Sequence, residues 1–186
     1  MLIPDILARR EIAANRFMTY VEEDLRSPDG SVYTYHQVEA RFEAVLILPV
    51  LADGRVVVER IYRHPYKQYV LEFPAGGIEP GEDPVQAAGR ELTEETGYRA
   101  GRLRRLGSYE AIPGMLKARV QVVLAQDLVQ TGTRAHETME LLQVEELTPA
   151  QAWAAMSVEP VSSFLTVGLL WLAREGLLPS VAPSLP

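Results

Sequence analysis

The sequence contains no cysteine among its 186 residues. This absence excludes disulfide bonds and thiolate catalysis, and it predicts a reducing compartment, the cytoplasm. Only three histidines are present, and no serine–histidine pair suited to covalent catalysis is evident. Any hydrolytic chemistry is therefore expected to use an activated water molecule rather than a covalent intermediate.

Basic residues and long apolar runs are also scarce. The chain has 18 Lys and Arg against 25 Asp and Glu, a net charge of −7, so it lacks the basic surface that nucleic-acid binding needs. No apolar run approaches the roughly 18 residues of a membrane span, and the N-terminal stretch is a poor signal peptide. The hydrophobic fraction of 47% predicts a single globular domain with a sizeable core.

The most informative segment covers residues 76–98 and reads GGIEPGEDPVQAAGRELTEETGY. Asp83 is a good helix N-cap, and Pro84 follows at the first helical position. Gly97 is well placed as the C-terminal stop. These signals predict a helix of roughly 13 residues, from about Pro84 to Thr96.

Four glutamates surround this predicted helix. Glu91 lies three and four residues before Glu94 and Glu95, so the three carboxylates share one face. Like charges at this spacing destabilise a bare helix, and hard oxygen ligands suit Mg²⁺ or Mn²⁺. We therefore predict a divalent-metal site with these three glutamates as ligands and Glu82 in support. The alternative is an ordinary solvated acidic face, but a chance match of the whole pattern is rare.

The full spacing, Gly-x5-Glu-x7-Arg-Glu-Leu-x-Glu-Glu-x-Gly-Tyr, resembles the Nudix box of Nudix hydrolases, which cleave a nucleoside diphosphate linked to another moiety. Tyr98 occupies a position where a bulky aliphatic residue is more usual. The resemblance implies a pyrophosphohydrolase of the α/β class, an α/β/α sandwich with a mixed sheet. It also implies that the backbone carbonyl of Ala75 joins Glu91 and Glu95 in binding the metal.

The resemblance and the residue types suggest further roles around the box. Arg90 is expected to orient a glutamate through a fork-shaped ion pair, and Gly97 is structural. Gly76, where the backbone turns close to the metal, is placed with the substrate-binding residues. Glu94 is both a metal ligand and a catalytic candidate. Related nucleotide-sugar hydrolases carry a glutamate on a loop before a late strand, and this resemblance favours Glu140, and then Glu137, as the general base. The alternative is that both are ordinary charged residues of a surface loop.

The substrate class depends on residues outside the box. Pro113 lies 15 residues after Tyr98, a distance that resembles the ADP-ribose pyrophosphatase branch. Arg63 and Glu72 match positions near the substrate in that branch, and Arg63 is suited to gripping a phosphate. Alternatively, Arg63 is an ordinary surface charge and Pro113 a bare turn. Ala118 stands where a glutamate is expected in that branch, so GDP-mannose, other nucleotide sugars and FAD remain open beside ADP-ribose.

The organisation predicted along the chain has three parts. Residues 1–40 form an N-terminal β-hairpin extension, residues 41–178 a hydrolase domain, and residues 179–186 a loose tail. The resemblance further implies a homodimer built with the N-terminal strands. Two rival functions are a nucleoside triphosphatase of the same fold and a non-catalytic ligand-sensing module. Strands are predicted at 17–24, 31–39, 42–50, 55–62, 69–73, 103–111, 118–126 and 139–146, and later helices at 149–156 and 162–175.

Overall fold

The computed structural model describes residues 3–132 and 142–178. These residues form two compact units. The first unit comprises residues 3–43 and 109–120, and the second comprises 44–108, 121–132 and 142–178. Within the described ranges, no helix is long and apolar enough to cross a membrane.

The first unit is built from antiparallel strands. Strands β1 (Asp5–Ala14), β2 (Met18–Arg26) and β3 (Val32–Ala40) follow one another as a meander, and β3 also pairs in parallel with the start of a later strand through Val38 opposite Leu116. The turn between β2 and β3 contains Gly30 at a φ of 87°, a conformation that glycine adopts without steric cost.

The second unit contains most of the remaining strands. Strand β4 (Ala44–Pro49) pairs antiparallel with the short β7 (Ala75–Gly77), and β5 (Val56–Arg63) pairs antiparallel with both β6 (Gln68–Glu72) and β10 (Leu142–Leu147). Two long strands, β8 (Tyr98–Ile112) and β9 (Leu116–Gln130), pair with each other and contribute residues to both units.

The apolar residues of β4 are buried on both faces of the strand, because a helix packs against each face. Val45 and Ile47 belong to a cluster that includes Ala88 of helix α1 (Pro84–Glu91). Leu48 points the other way, since successive side chains alternate, and lies beside Gly168 of helix α3 (Ser163–Arg174). A further helix, α2 (Pro149–Ala155), follows β10. Helices on both faces of a strand of the second unit confirm the predicted α/β class.

The box helix spans its predicted range, but its last turn has a different form. The α-helix ends at Glu91, and residues Leu92–Thr96 continue it as a π-helical turn, a form frequent at functional sites. Asp83 caps the helix as predicted, its Oδ1 accepting the Val85 N–H at 2.8 Å. Gly97 also ends the helix as predicted, at a φ of 74°. The predicted range of the helix, Pro84 to Thr96, is therefore confirmed, and the π-helical form of its last turn is a feature that the prediction did not specify.

Candidate active site

The Arg90 guanidinium holds the box glutamates together. Its Nε and Nη2 donate to the two oxygens of Glu82 at 3.1 and 3.0 Å, and its Nη1 donates to Glu91 Oε1 at 2.8 Å and Glu94 Oε2 at 3.2 Å. Nη2 also donates to the backbone oxygen of Gly77 at 3.0 Å. One side chain thus ties three glutamates to the loop that precedes the helix; that Arg90 orients a glutamate for function stays a prediction.

Glu82 receives a second hydrogen bond besides those from Arg90. Its Oε2 accepts the backbone N–H of Glu79 at 2.9 Å, so the loop before the helix closes on itself. The hydrogen bonds from Arg90, followed by that from Glu79, hold the pKa of Glu82 below its ordinary value. Glu82 is therefore ionised and fixed in place at neutral pH.

Gly76 and the Glu91 carboxylate occupy adjacent space. A Cβ atom at Gly76 would lie 2.0 Å from Glu91 Cδ and 2.3 and 2.4 Å from its two oxygens. Only a residue without a side chain allows the carboxylate to lie against β7, the strand that begins at Ala75. The glycine of the box therefore has a steric function that sequence spacing alone did not specify.

Glu95 lies deeper than its neighbours on the box. It is only 5% exposed, whereas the Glu94 side chain is 42% exposed. The π-helical turn carries both residues. The ionised form of a buried carboxylate needs positive charge nearby, and Glu95 therefore remains a candidate ligand for a cation.

Two residues predicted to bind substrate meet in the second unit. Arg63 donates from Nε to Glu72 Oε2 at 3.1 Å, and its Nη2 makes a further short hydrogen bond to the same oxygen. Burial tends to lower the pKa of Arg63, but the hydrogen bond to Glu72 and the charges of Glu72, Glu95 and Glu59 outweigh it and raise the pKa. The structure thus brings Arg63 and Glu72 within electrostatic reach of the box.

The donor set fits a hard divalent cation. Carboxylates of Glu91 and Glu95 and backbone carbonyls are the oxygen ligands that such ions take, and the bare backbone at Gly76 leaves room for one of those carboxylates. In the described part of the chain, no group of three or more acidic or histidine side chains is already arranged to hold a metal ion, and Arg90 contacts oxygens of Glu82, Glu91 and Glu94. A metal ion would therefore bind in competition with Arg90.

Other predicted residues lie elsewhere. Pro113 belongs to the first unit, in the turn where Met115 N–H donates to Ile112 O at 3.0 Å, and it borders a surface depression of about 340 Å³ with Tyr35 and Arg119. Glu137 and Glu140, the predicted general bases, lie outside the described residues. Their roles, like those of the other site residues, stay predictions.

Glu59 and the contacts of Tyr98 were not predicted from the sequence. The Tyr98 hydroxyl donates to Glu146, and Glu146 also pairs with Arg55. This contact explains how a tyrosine replaces the usual aliphatic residue: its ring is buried and its hydroxyl has a partner. Glu59 is buried on β5, and the signal for it was an acidic residue directly after three valines.

Comparison with known proteins identifies the family. The NUDIX domain model matches residues 40–165. ADP-ribose pyrophosphatase of Bacillus subtilis (strain 168) is 32% identical over 143 residues, covering 76% of this chain and 77% of that protein. ADP compounds hydrolase NudE of Escherichia coli (strain K12) is 33% identical over 176 residues, covering 94% and 93%. A crystal structure of an ADP compounds hydrolase superimposes with a TM-score of 0.83 at 30% identity over 95% of each chain. The resemblance carried by the box is thus confirmed: the chain belongs to the NUDIX domain family and is a hydrolase of that family.

Proposed function

We propose that this hydrolase cleaves the diphosphate of ADP-ribose to AMP and ribose 5-phosphate with Mg²⁺ or Mn²⁺. The observation that carries the proposal is the position of Arg63 near the box. Arginine is a residue type that binds phosphates, and Arg63, held by Glu72, lies within electrostatic reach of Glu95. The Bacillus subtilis relative is named for ADP-ribose and the Escherichia coli relative for ADP compounds, which supports an ADP-linked substrate.

The residues divide the work of hydrolysis as follows. Glu91, Glu94, Glu95 and the Ala75 carbonyl would hold the metal. When bound, the metal supplies charge neutralisation of the diphosphate, polarisation of a phosphorus–oxygen bond and a lowered pKa for water. Glu140, or else Glu137, accepts the proton of the water whose oxygen attacks phosphorus, while the bond to the bridging oxygen breaks.

Arg63 and Arg90 have different tasks in this proposal. Arg63 donates hydrogen bonds to a phosphate oxygen, for which a planar guanidinium is suited. Arg90 stays with Glu82 and keeps the loop before the helix closed. Water is the nucleophile in this proposal, since the chain has no cysteine and no serine–histidine pair suited to covalent catalysis is evident.

We also propose a homodimer that acts in the cytoplasm on a small nucleoside diphosphate derivative. The first unit presents many exposed apolar side chains, which supports an interface there. Sedimentation equilibrium of the full chain gives the oligomeric state directly. The exposed apolar residues of this unit are Ile3, Ile6, Leu7, Ile12, Phe17, Met18, Val32, Tyr33, Phe42, Ile112 and Met115.

A substrate panel tests the proposed reaction. ADP-ribose, GDP-mannose, FAD and a nucleoside triphosphate are incubated with the purified chain, with and without Mg²⁺ or Mn²⁺, and the products are separated by chromatography. We expect metal-dependent release of AMP from ADP-ribose. Turnover of triphosphates alone would assign the chain to the triphosphatase alternative, and no turnover of any compound would favour the ligand-sensing alternative.

A pair of glutamate variants tests the metal site. Glu95→Gln keeps the side-chain volume but removes the charge of a buried ligand, so we expect kcat to fall by about 100-fold or more while the protein stays folded. Glu79→Gln is the matched control, because Glu79 is an exposed glutamate of the same segment. Equal activity of the two variants would show that the metal ligands are misassigned.

A further inference from the structure

Glu59 is a carboxylate buried within an apolar strand. It follows Val56, Val57 and Val58 on β5, all of which are buried, and it is itself only 2% exposed. Glutamate is almost never fully buried without a compensating charge, because its ionised form loses hydration. The burial of Glu59 therefore needs a reason beyond packing.

The neighbours of Glu59 make its position still more costly. In the register of β5 with β6, Glu59 lies directly opposite Glu72, and like charges that face each other across a sheet are destabilising. Both residues point to the face that carries Val57, two positions earlier on β5. Val57 packs in the same cluster as Leu92 of the box, so the two glutamates lie on the face that looks toward the box.

Arg63 extends toward this pair of glutamates. Its own partner in the strand register is Gln68, yet its guanidinium donates to Glu72, the residue opposite Glu59. The side chain therefore runs back along the strand instead of outward to solvent. Attraction by the charges of Glu59 and Glu95 adds to that of Glu72 and favours this inward conformation.

We propose that Glu59 is a positioning residue for substrate binding: its charge keeps the Arg63 guanidinium drawn back over Glu72 and near Glu95, where it meets a phosphate of the bound nucleoside diphosphate. The inference rests on the proposed function. Without the charge at Glu59, Arg63 keeps its hydrogen bond to the buried Glu72, but its guanidinium is held less firmly in this position. Burying Glu59 then lowers the stability of the fold, and its benefit is to substrate binding, through the placement of Arg63.

The test compares Glu59→Val and Glu59→Gln with the wild type. We expect the KM for ADP-ribose to rise about fivefold in both variants while kcat changes less than about twofold, because binding is weakened and the reacting groups are untouched. The Kd for ADP with Mg²⁺, measured by calorimetry, should rise in parallel. The Tm of Glu59→Val should stay constant or rise by about 2–4 °C, since the Arg63–Glu72 pair remains and a buried charge is removed.

Two controls separate positioning from a structural effect. Glu145→Gln removes a carboxylate from the Arg60 pair on the opposite face of the same sheet, and its KM should equal that of the wild type. Arg63→Gln should raise KM by itself, and adding Glu59→Gln should change it little further, because Glu59 acts through Arg63.

A wild-type KM and ADP affinity in Glu59→Gln, or additive effects of the Glu59 and Arg63 changes, would contradict the inference. So would a Tm of Glu59→Val lowered by more than about 2 °C, which would assign Glu59 to the fold. Failure of the wild type to turn over ADP-ribose would defeat the proposed function instead, and the ADP affinities of the variants would still decide the role of Glu59.

Discussion

Replacing Gly76 by alanine perturbs the active site at one defined atom. The new Cβ would lie 2.0 Å from Glu91 Cδ, whereas ordinary contacts begin near 3.4 Å, so the carboxylate must retreat by about 1.4 Å. The clashing atoms are the end of a flexible side chain, which can turn away with little strain. The backbone at Gly76 is not in the left-handed region, so alanine adds no conformational strain there.

The change should therefore reduce activity far more than stability. A displacement of about 1 Å in a reacting group costs about 100-fold in rate, and we expect a loss of that size in kcat/KM for ADP-ribose. The Mg²⁺ concentration for half-maximal activity should also rise, because Glu91 is displaced as a ligand. The Tm should change by less than about 3 °C, since glycine-to-alanine changes at compatible positions alter stability by only about 1 kcal/mol.

Gly89→Ala is the matched control. Gly89 lies on the same helix as Glu91. A Cβ atom at Gly89 would meet only the Leu103 Cδ1 atom, at 3.1 Å, and no carboxylate, so activity should be retained. Adding Glu91→Gln to Gly76→Ala should cause little additional loss, because both changes act on the same carboxylate. The reasoning is refuted if Gly76→Ala keeps more than about a third of the wild-type kcat/KM, or if the two changes multiply.

Two further predictions concern stability. Hydrogen bonds from Arg10 and then Thr34 lower the pKa of Asp24 to about 2. The stabilising effect of its charge is therefore complete above the unfolded-state pKa of about 4 and is lost as the pH falls through 2. The difference in free energy of unfolding between the wild type and Asp24→Asn, measured with urea, should shrink over that interval, and a constant difference would contradict the assignment. Gly168→Ala places a Cβ 2.2 Å from the buried Phe73 ring, so the free energy of unfolding should fall by about 1–3 kcal/mol, and an unchanged urea midpoint would exclude this packing.

The buried apolar strand β4 was predictable from the sequence, whereas the exposed first strand β1 was not. The apolar run of β4 predicted a central strand because both its faces are covered. Strand β1 was missed because nearly all of its residues are exposed and so it has no apolar face. It is held by backbone pairing with β2 and by ion pairs such as Arg10 with Asp24, and such cross-strand contacts leave no periodic signal.

Local signals predicted the two ends of the box helix but not its interior. Asp83 and Gly97 act through their own backbone and side-chain geometry, so their positions could be inferred from residue type. The π-helical turn depends on how Leu92 and Thr96 pack and hydrogen-bond, including the bond from the Thr96 hydroxyl to Leu92 O at 2.5 Å. The gathering of three glutamates on Arg90 likewise arises only when the loop folds back onto the helix.

The parallel pairing of β3 with residues 116–117 has a consequence for the order in which the chain folds during synthesis. Strands β1 to β3 are neighbours in the chain and can form a meander as soon as residue 40 is free of the ribosome. The second neighbour of β3 is the start of β9, at Leu116, which is synthesised 76 residues after the end of β3. At typical elongation rates this is a delay of about 4–15 s. Throughout that interval β3 has an unpaired strand edge. The nascent chain is therefore most prone to pair with other chains before β8 and β9 have been synthesised.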